Sequence, residues 1–196
     1  VLSPQEELVS ERLEALYRLT APTGGADVLL TSAVTASQRL SPVSYIGANT
    51  FFFHQGEQIS LTTLQKRLAA AGYANVKQVL AAGEFAVRGS IVDVFPMGSE
   101  RPFRLDFFDD EIESIRWFDV DTQRSMESAE EIRLLPGHEF PVDPEALLAF
   151  RQRWRREFAG DPKKSIVYCD IEKEILPPGI EYYLPLFFDE TATLTD

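Results

Sequence analysis

The stretch GEFAVRGSIVDVFPMGSERPFRLDFFDDEIESIRWFDVD, residues 83–121, decides the fold because it predicts three β-strands joined by two turns. The first strand candidate, Phe85 to Phe95, is rich in Val, Ile and Phe and ends at a Pro-Met-Gly-Ser turn. The second, Phe103 to Phe108, ends at a polar corner, and the third runs from Ile112 to about Phe118. These segments predict a strand-rich domain at the centre of the chain.

The second strand separates into two faces, because strand side chains alternate across a sheet. The side that must pack on a core is apolar and carries Phe103, Leu105 and Phe107. The opposite side carries Arg104, Asp106 and Phe108. An aromatic ring among charges is typical of a protein-binding patch, in which aromatic and Arg anchors contribute much of the energy.

Arg88 is expected to join this second face, since a meander places the first strand beside the second. Gly89, next to it, would let another backbone approach closely. A purely structural interpretation is also open. In that interpretation a helix of the same domain covers Phe108, and the arginines only pair with Asp106 and Glu84.

Two segments carry a resemblance to a known family. Residues 83–125 and LLPGHEFPVD, residues 134–143, closely resemble bacterial transcription-repair coupling factors (Mfd). More distantly, GEFAVRG and the RLDFF/DDEI hairpin resemble the excision-repair protein UvrB. A weaker likeness extends from SPQEELVSERLEALYRL near the start to LPPGIEYYLPLFF near the end, so it covers essentially the whole chain.

The resemblance implies an α+β fold in three parts. Residues 1–49 would be the end of a truncated α/β, helicase-like domain 1a. Residues 50–136 would be domain 2, a strand-rich antiparallel domain that docks on UvrA. Residues 137–196 would begin domain 1b, the other helicase-like segment.

The resemblance also implies a function and a site. The segment would be a non-catalytic module that recruits UvrA to lesions at stalled RNA polymerase, and the family's binding residues would fall on Arg88, Arg104 and Phe108. It would need no cofactor. Other domains of the longer protein would carry an ATP- and Mg-dependent DNA translocase and the contacts with RNA polymerase and DNA, and one of them would mask the docking surface.

Two other functions stay open at this point. The chain could be a fragment of UvrB itself, an ATP-dependent enzyme that loads onto damaged DNA; a Gly-Lys-Ser/Thr phosphate loop upstream would favour that reading. It could instead be a nucleic-acid-binding β domain. A formal net charge of -12 argues against the latter, because such binding depends on Lys and Arg that neutralise phosphates.

Composition limits the remaining possibilities. With 196 residues and 44% hydrophobic content, the chain is long enough for one good-sized domain or two small ones. No segment approaches the roughly 20 apolar residues of a membrane span, and no secretory signal is evident. A single cysteine, Cys169, fits a reducing cytoplasm. Because the sequence starts at Val1, we expect a piece excised from a longer protein.

The flanking segments predict a mixture of helices and strands. Ser3 is a helix N-cap, and residues 22–25 are a linker. A buried strand is expected at Asp27 to Thr31 and another at Ser165 to Cys169. The aromatic-rich segment Tyr182 to Phe188 is expected to pack on a part of the protein outside this chain.

Two longer helices are predicted around the strand-rich domain. One runs from Leu61 to Ala71 after the cap Ser60, and we expect its apolar stripe to cover the Phe103 side of the sheet. The other starts at Asp143 or Pro144. Its basic run predicts either a contact with an acidic partner or nucleic acid, or a solvated helix surface. That run consists of Arg151, Arg153, Arg155 and Arg156.

No pattern predicts catalysis or a metal site. The sequence lacks a Gly-rich loop ending in Gly-Lys-Ser/Thr. Asp119, Asp121 and Glu130 imitate calcium-loop positions, but Arg124 stands where the turn requires Gly. His54 and His138 have no nearby Cys or His at metal-ligand spacing.

Overall fold

The computed structural model describes residues 5–20 and 28–194. The predicted cap at Ser3 and the predicted linker at residues 22–25 lie outside the described residues. The helices are α1 (Glu6–Thr20), α2 (Ala33–Ala36), α3 (Val43–Ala48), α4 (Leu61–Ala70), α5 (Pro144–Glu157) and α6 (Ile166–Glu172). Two 3₁₀ helices span Pro162–Lys164 and Ile180–Leu186.

In residues 5–20 and 28–194, eight strands form two sheets. The strands are β1 (Phe51–His54), β2 (Ala74–Asn75), β3 (Glu84–Arg88), β4 (Ile91–Val94), β5 (Phe103–Phe108), β6 (Glu111–Phe118), β7 (Ser125–Ala129) and β8 (Glu131–Leu134). Strands β1 and β8 pair antiparallel by themselves, and the other six form a sheet in chain order. Among the strand pairs of the described residues, only the short β2–β3 pair is parallel. The predicted α+β class with a strand-rich domain is confirmed.

The single strand predicted from Phe85 to Phe95 is wrong, because it is a hairpin of β3 and β4. Arg88 pairs with Ile91, so Gly89 and Ser90 form a two-residue turn. Gly89 has a φ of 63°, a value that glycine adopts without steric cost and that two-residue hairpins require. Nothing among the described residues lies within 4 Å of a Cβ built on Gly89, so its conformation serves the turn, and the approach of another backbone to it stays a prediction.

The core of the strand-rich domain lies between α4 and one face of the six-stranded sheet. Ser60 begins α4 by accepting a hydrogen bond from the Thr63 amide at 3.2 Å. Leu64 and Leu68 of α4 are buried in one cluster with Leu105 and Phe107 of β5. The predicted helix therefore covers the predicted apolar face, which leaves the opposite face of the sheet without it.

A second apolar cluster surrounds α5. Asp143 caps this helix by accepting from the amides of Glu145 and Ala146, both at 3.0 Å, and Pro144 occupies the first turn. The members from α5, α6 and the second 3₁₀ helix include Leu147, Phe150, Trp154, Tyr168, Ile171 and Ile180, and Phe140 before α5 and Phe187 after the 3₁₀ helix join them. The aromatic segment at residues 182–188 thus packs on its own chain, and the prediction that it packs on an absent part is wrong.

Both strands predicted in the flanks are also wrong. Within Asp27 to Thr31, the described residues 28–31 are not strand, and Val28 and Leu30 are 75% and 91% exposed. The segment from Ser165 to Cys169 begins α6, with Ser165 as its N-cap. Tyr168 and Ile171 of α6 are both buried, and this three-residue spacing is that of one helix face.

The two segments that flank the strand-rich domain in the sequence contact each other. Leu40 and Ala192 exchange backbone hydrogen bonds of 2.9 and 3.0 Å, and the rings of Tyr45 and Phe188 lie edge to face with centroids 5.3 Å apart. Leu13 of α1 is fully buried in the sheet core. In the described residues, no helix is long and apolar enough to cross a membrane.

Candidate functional site

The face of the six-stranded sheet opposite α4 carries a row of charged residues. Cross-strand register places Asp93 of β4 beside Arg104 of β5, and Arg104 beside Arg116 of β6. Arg88 of β3 is paired with Ile91, which is paired in turn with Asp106. Because paired residues point to the same side of a sheet, these charges share one face.

Asp93 lies at the centre of this row. Its side chain is 1% exposed, and Oδ1 accepts from Nε of Arg104 at 2.7 Å while Oδ2 accepts from Nη2 of Arg104 at 3.0 Å. Nη2 of Arg88 also donates to Oδ2. A buried carboxylate is tolerated when it is paired and hydrogen-bonded, and here two guanidinium groups meet that requirement.

The guanidinium of Arg104 has several contacts within the chain. Its side chain is 14% exposed, and Nη1 donates to the carbonyl of Gln123 and to Oγ of Ser125, both at 3.2 Å. Its guanidinium carbon lies 4.8 Å from the ring centre of Phe118, which forms a cation–π contact. The hydrogen bonds with Asp93 raise the pKa of Arg104, so the guanidinium is a permanent and oriented cation.

Arg88 and Phe108 are more accessible than Arg104. The Arg88 side chain is 48% exposed although it reaches Asp93. Phe108 is 68% exposed at the end of β5, next to the corner where Asp109 has a φ of 51°. The register of β5 shifts between Asp106 and Phe107, so the strand end is irregular where Phe108 projects.

The structure contradicts the alternative in which a helix covers Phe108 and the arginines pair only with Asp106 and Glu84. Phe108 is largely exposed, so no helix of the described residues covers it. The arginines pair with Asp93, whereas Asp106 accepts from Oγ of Ser114 at 3.0 Å and Glu84 accepts from the amides of Leu80 and Ala81. Partner binding by Arg88, Arg104 and Phe108 stays a prediction.

Sequence reasoning missed Asp93 and Arg116. A continuous strand from Phe85 to Phe95 would place Arg88 and Asp93 on opposite faces, whereas the two-residue turn at Gly89 brings them to the same face. Arg116 is exposed, and among the described residues no ion pair is recorded for it. No sequence signal places Arg116 opposite Arg104, because the turn between β5 and β6 alone would put Ile115 there, and only the register shift between Asp106 and Phe107 brings Arg116 to that position.

The other candidate groups have structural partners. His138 is half-buried and stacks on Phe140 with ring centroids 5.4 Å apart, and loss of contact with water lowers its pKa. Cys169 donates to the carbonyl of Lys163 at 3.3 Å. In residues 5–20 and 28–194, no group of three or more His, Cys, Asp or Glu could hold a metal ion.

The basic run of α5 is partly occupied by contacts within the chain. Arg153 donates to Asp189 at 2.6 Å and to the carbonyl of Leu186 at 3.1 Å. Arg156 pairs with the neighbouring Glu157 at 2.9 Å, and Arg155 lies over the ring of Tyr168. Their arrangement is that of a helix surface whose cations pack on their own domain.

Comparisons with known proteins point to one family. Residues 51–140 match the model described as the UvrB interaction domain. The transcription-repair-coupling factor of Escherichia coli K12 is 46% identical over 188 residues, or 96% of this chain. The proteins of the same name from Haemophilus influenzae and Bacillus subtilis are 47% and 32% identical over 99% and 100% of the chain. The chain spans 16%, 17% and 18% of the length of these three relatives.

Proposed function

Because residues 51–140 form a UvrB interaction domain in a chain that belongs to the transcription-repair-coupling factor family, we propose that the charged face of its six-stranded sheet docks UvrA. Arg88, Arg104 and Phe108 are the contact residues in this proposal. The segment acts by binding and not by catalysis. Its task is to bring UvrA, and with it nucleotide excision repair, to a lesion that has stalled RNA polymerase.

The observation that carries the proposal is the exposure of Phe108 beside the arginine row. A phenyl ring that is 68% exposed costs free energy in water, and it gains that free energy when a partner covers it. Aromatic rings and guanidinium groups are the side chains that most often act as interface anchors. The row of Arg88, Arg104 and Arg116 suits a partner surface that offers carboxylates.

The rest of the longer protein has separate roles in this proposal. Other domains bind RNA polymerase and DNA and use ATP and Mg²⁺ to move along DNA in the cytoplasm. One of them covers the docking face until the protein is engaged. The chain itself needs no cofactor for docking.

Calorimetric titration of UvrA with the 196-residue chain tests the proposal. Phe108→Ala should weaken binding by about 2 kcal/mol, the loss expected for an interface anchor. Phe52→Ala is the matched control, since Phe52 is 46% exposed but lies on β1 in the two-stranded sheet. Equal affinity of wild type and Phe108→Ala, or an equal loss in both variants, would contradict the proposed site.

Direct binding to nucleic acid is the competing function and makes a different prediction. A domain that neutralises phosphates would bind duplex DNA with an affinity that falls steeply as salt rises. We expect little binding of DNA by this chain at physiological salt, because its net charge is -12. Anisotropy of a labelled duplex at two salt concentrations measures this directly.

A further inference from the structure

Asp93 lies on the charged face but is too buried for a partner to contact it. Its side chain is 1% exposed, and both oxygens already accept hydrogen bonds from arginines. Arg104 grips it with two parallel N–H groups, which fixes the plane of the guanidinium as well as its position. Arg88 reaches the same carboxylate from the strand on the other side of β4.

The supports of Arg104 make the arrangement rigid. The ring of Phe118 lies 4.8 Å from its guanidinium carbon, and Nη1 donates to Gln123 and Ser125 in the segment that begins β7. Phe118 is buried in a small cluster with Val79 and Ala86, on the same face of the sheet. A flexible side chain normally loses rotamer freedom when it binds, and an arginine that is held before binding has less to lose.

We propose that Asp93 is a positioning residue that holds Arg88 and Arg104 in the orientation in which they bind carboxylates of the partner. Asp93 itself touches no partner. The inference rests on the proposed docking of UvrA and adds a residue through which the two arginines act. It also explains why a face that attracts an acidic partner keeps a negative charge at its centre.

Positioning and simple electrostatics predict opposite signs for the loss of this charge. If only net charge mattered, removing a carboxylate would make the face more positive and would strengthen binding of an acidic partner. If Asp93 orients the arginines, its removal frees both side chains and weakens binding. Asp93→Asn keeps the shape of the side chain and removes the charge, so it separates the two cases.

Asp106→Asn is the matched control. Asp106 lies on the same face of the sheet, loses the same charge on substitution, and accepts from Ser114 rather than holding Arg88 or Arg104. In calorimetric titrations with UvrA we expect Asp93→Asn to bind about tenfold more weakly than wild type, and Asp106→Asn to bind equally or more tightly. Unchanged or tighter binding by Asp93→Asn would overturn the inference.

A measurement on the wild-type chain alone covers the case in which Asp93→Asn does not fold. The Nε–H order parameter of Arg104, measured by ¹⁵N relaxation without UvrA, should approach the value of about 0.85 for rigid backbone. A value below about 0.6 would describe a mobile side chain and would overturn the inference without any variant. In folded Asp93→Asn the Nε order parameters of both arginines should fall while those of the backbone stay unchanged, a result that a merely structural role of Asp93 does not predict.

The failures of the two proposals are distinguishable. If wild type and all variants fail to bind UvrA, the docking function is wrong and the inference is wrong with it. If Phe108→Ala weakens binding but Asp93→Asn does not, the docking function stands and only the positioning role of Asp93 is wrong. If Asp93→Asn weakens binding while Asp106→Asn does not, both are supported.

Discussion

Arg104 of the sheet and Arg153 of α5 are equally buried, with side chains 14% and 15% exposed, and each donates to an aspartate. The aspartates differ. Asp93 is 1% exposed, whereas Asp189 is 91% exposed. Water can solvate Asp189 if Arg153 is removed, but it has little access to Asp93. We therefore expect the burial of the aspartate, and not that of the arginine, to decide how strongly each ion pair stabilises the fold.

The same difference separates the two regions as candidate binding surfaces. On the sheet, Arg88 and Arg104 donate to the buried Asp93, and the exposed ring of Phe108 lies on the same face. On α5, the arginines pair with a neighbouring carboxylate or lie over the rings of their own cluster. A held cation on a rigid sheet is suited to specific docking, and a solvated cation on a helix contributes mainly to solubility.

The largest expected effect is on stability. Arg104→Ala leaves the buried Asp93 with Arg88 alone, so we expect the free energy of unfolding to fall by about 3 kcal/mol. Arg153→Ala should lose only a fraction of that, because the exposed Asp189 regains water. Urea unfolding of the two variants measures the difference. Equal losses of unfolding free energy in the two variants would contradict the comparison, because the burial of the paired aspartate would then have no effect on stability.

The next effect concerns affinity for UvrA. Arg88→Ala should weaken binding about tenfold, or 1.4 kcal/mol, because Arg88 is half exposed and can reach both Asp93 and the partner. Arg88 is a better probe than Arg104, whose removal also affects stability. Arg156→Ala on α5 removes an arginine that is even more exposed, at 72% against 48% for Arg88, and serves as the control. A tenfold loss in the control would place the docking surface on the helix.

A third effect tests whether the two regions unfold together. His138 lies in the segment between them, and burial lowers its pKa, so the unfolded chain takes up a proton at higher pH than the folded chain does. Stability should therefore fall as pH drops below about 6.5, by at most about 1.4 kcal/mol per pH unit. His138→Gln should lose this dependence, and His54→Gln, at an exposed position, should keep it.

The two tryptophans of the chain report on this coupling, because Trp117 lies on β6 and Trp154 on α5. Trp117→Phe and Trp154→Phe each leave one fluorescent probe. Coincident unfolding curves at pH 7 and at pH 5.5 would describe one cooperative unit. Separate curves would show that the sheet and the α5 cluster respond independently, which would sharpen the comparison between them.

The two faces of β5 could be predicted from the sequence. Side chains alternate along a strand, and only one assignment places Phe103, Leu105 and Phe107 together on the core side. The prediction missed the hairpin at Gly89 because the Val, Ile and Phe on both sides favour one strand, although Gly89-Ser90 between two apolar runs is typical of a two-residue turn. That single error separated Arg88 from Asp93. The ion pair of Arg88 with Asp93 could therefore not be predicted before the turn was placed.

The segments before and after the strand-rich domain were harder to predict, because their composition favours strands and their packing does not. The β-branched pair at the start of α6 favours strand, but the cap at Ser165 and the burial of Tyr168 and Ile171 make the segment helical. Residues 28–31 have a strand-like composition and remain exposed without a neighbouring strand among the described residues. Local preference decides structure only where tertiary contacts agree with it.

The smallest expected effect lies on the exposed surface of α5. The double variant Arg155→Ala, Arg156→Ala removes two cations from α5, so its unfolding free energy should change by less than about 1 kcal/mol and its affinity for UvrA by less than twofold. Binding of a labelled DNA duplex should stay equally weak before and after the change. A clear loss of affinity for either partner would show that solvated cations of the helix bind as the anchored ones of the sheet do. As binding surfaces, the two regions would then differ only in the exposed ring of Phe108, because the burial of Asp93 would no longer bear on affinity.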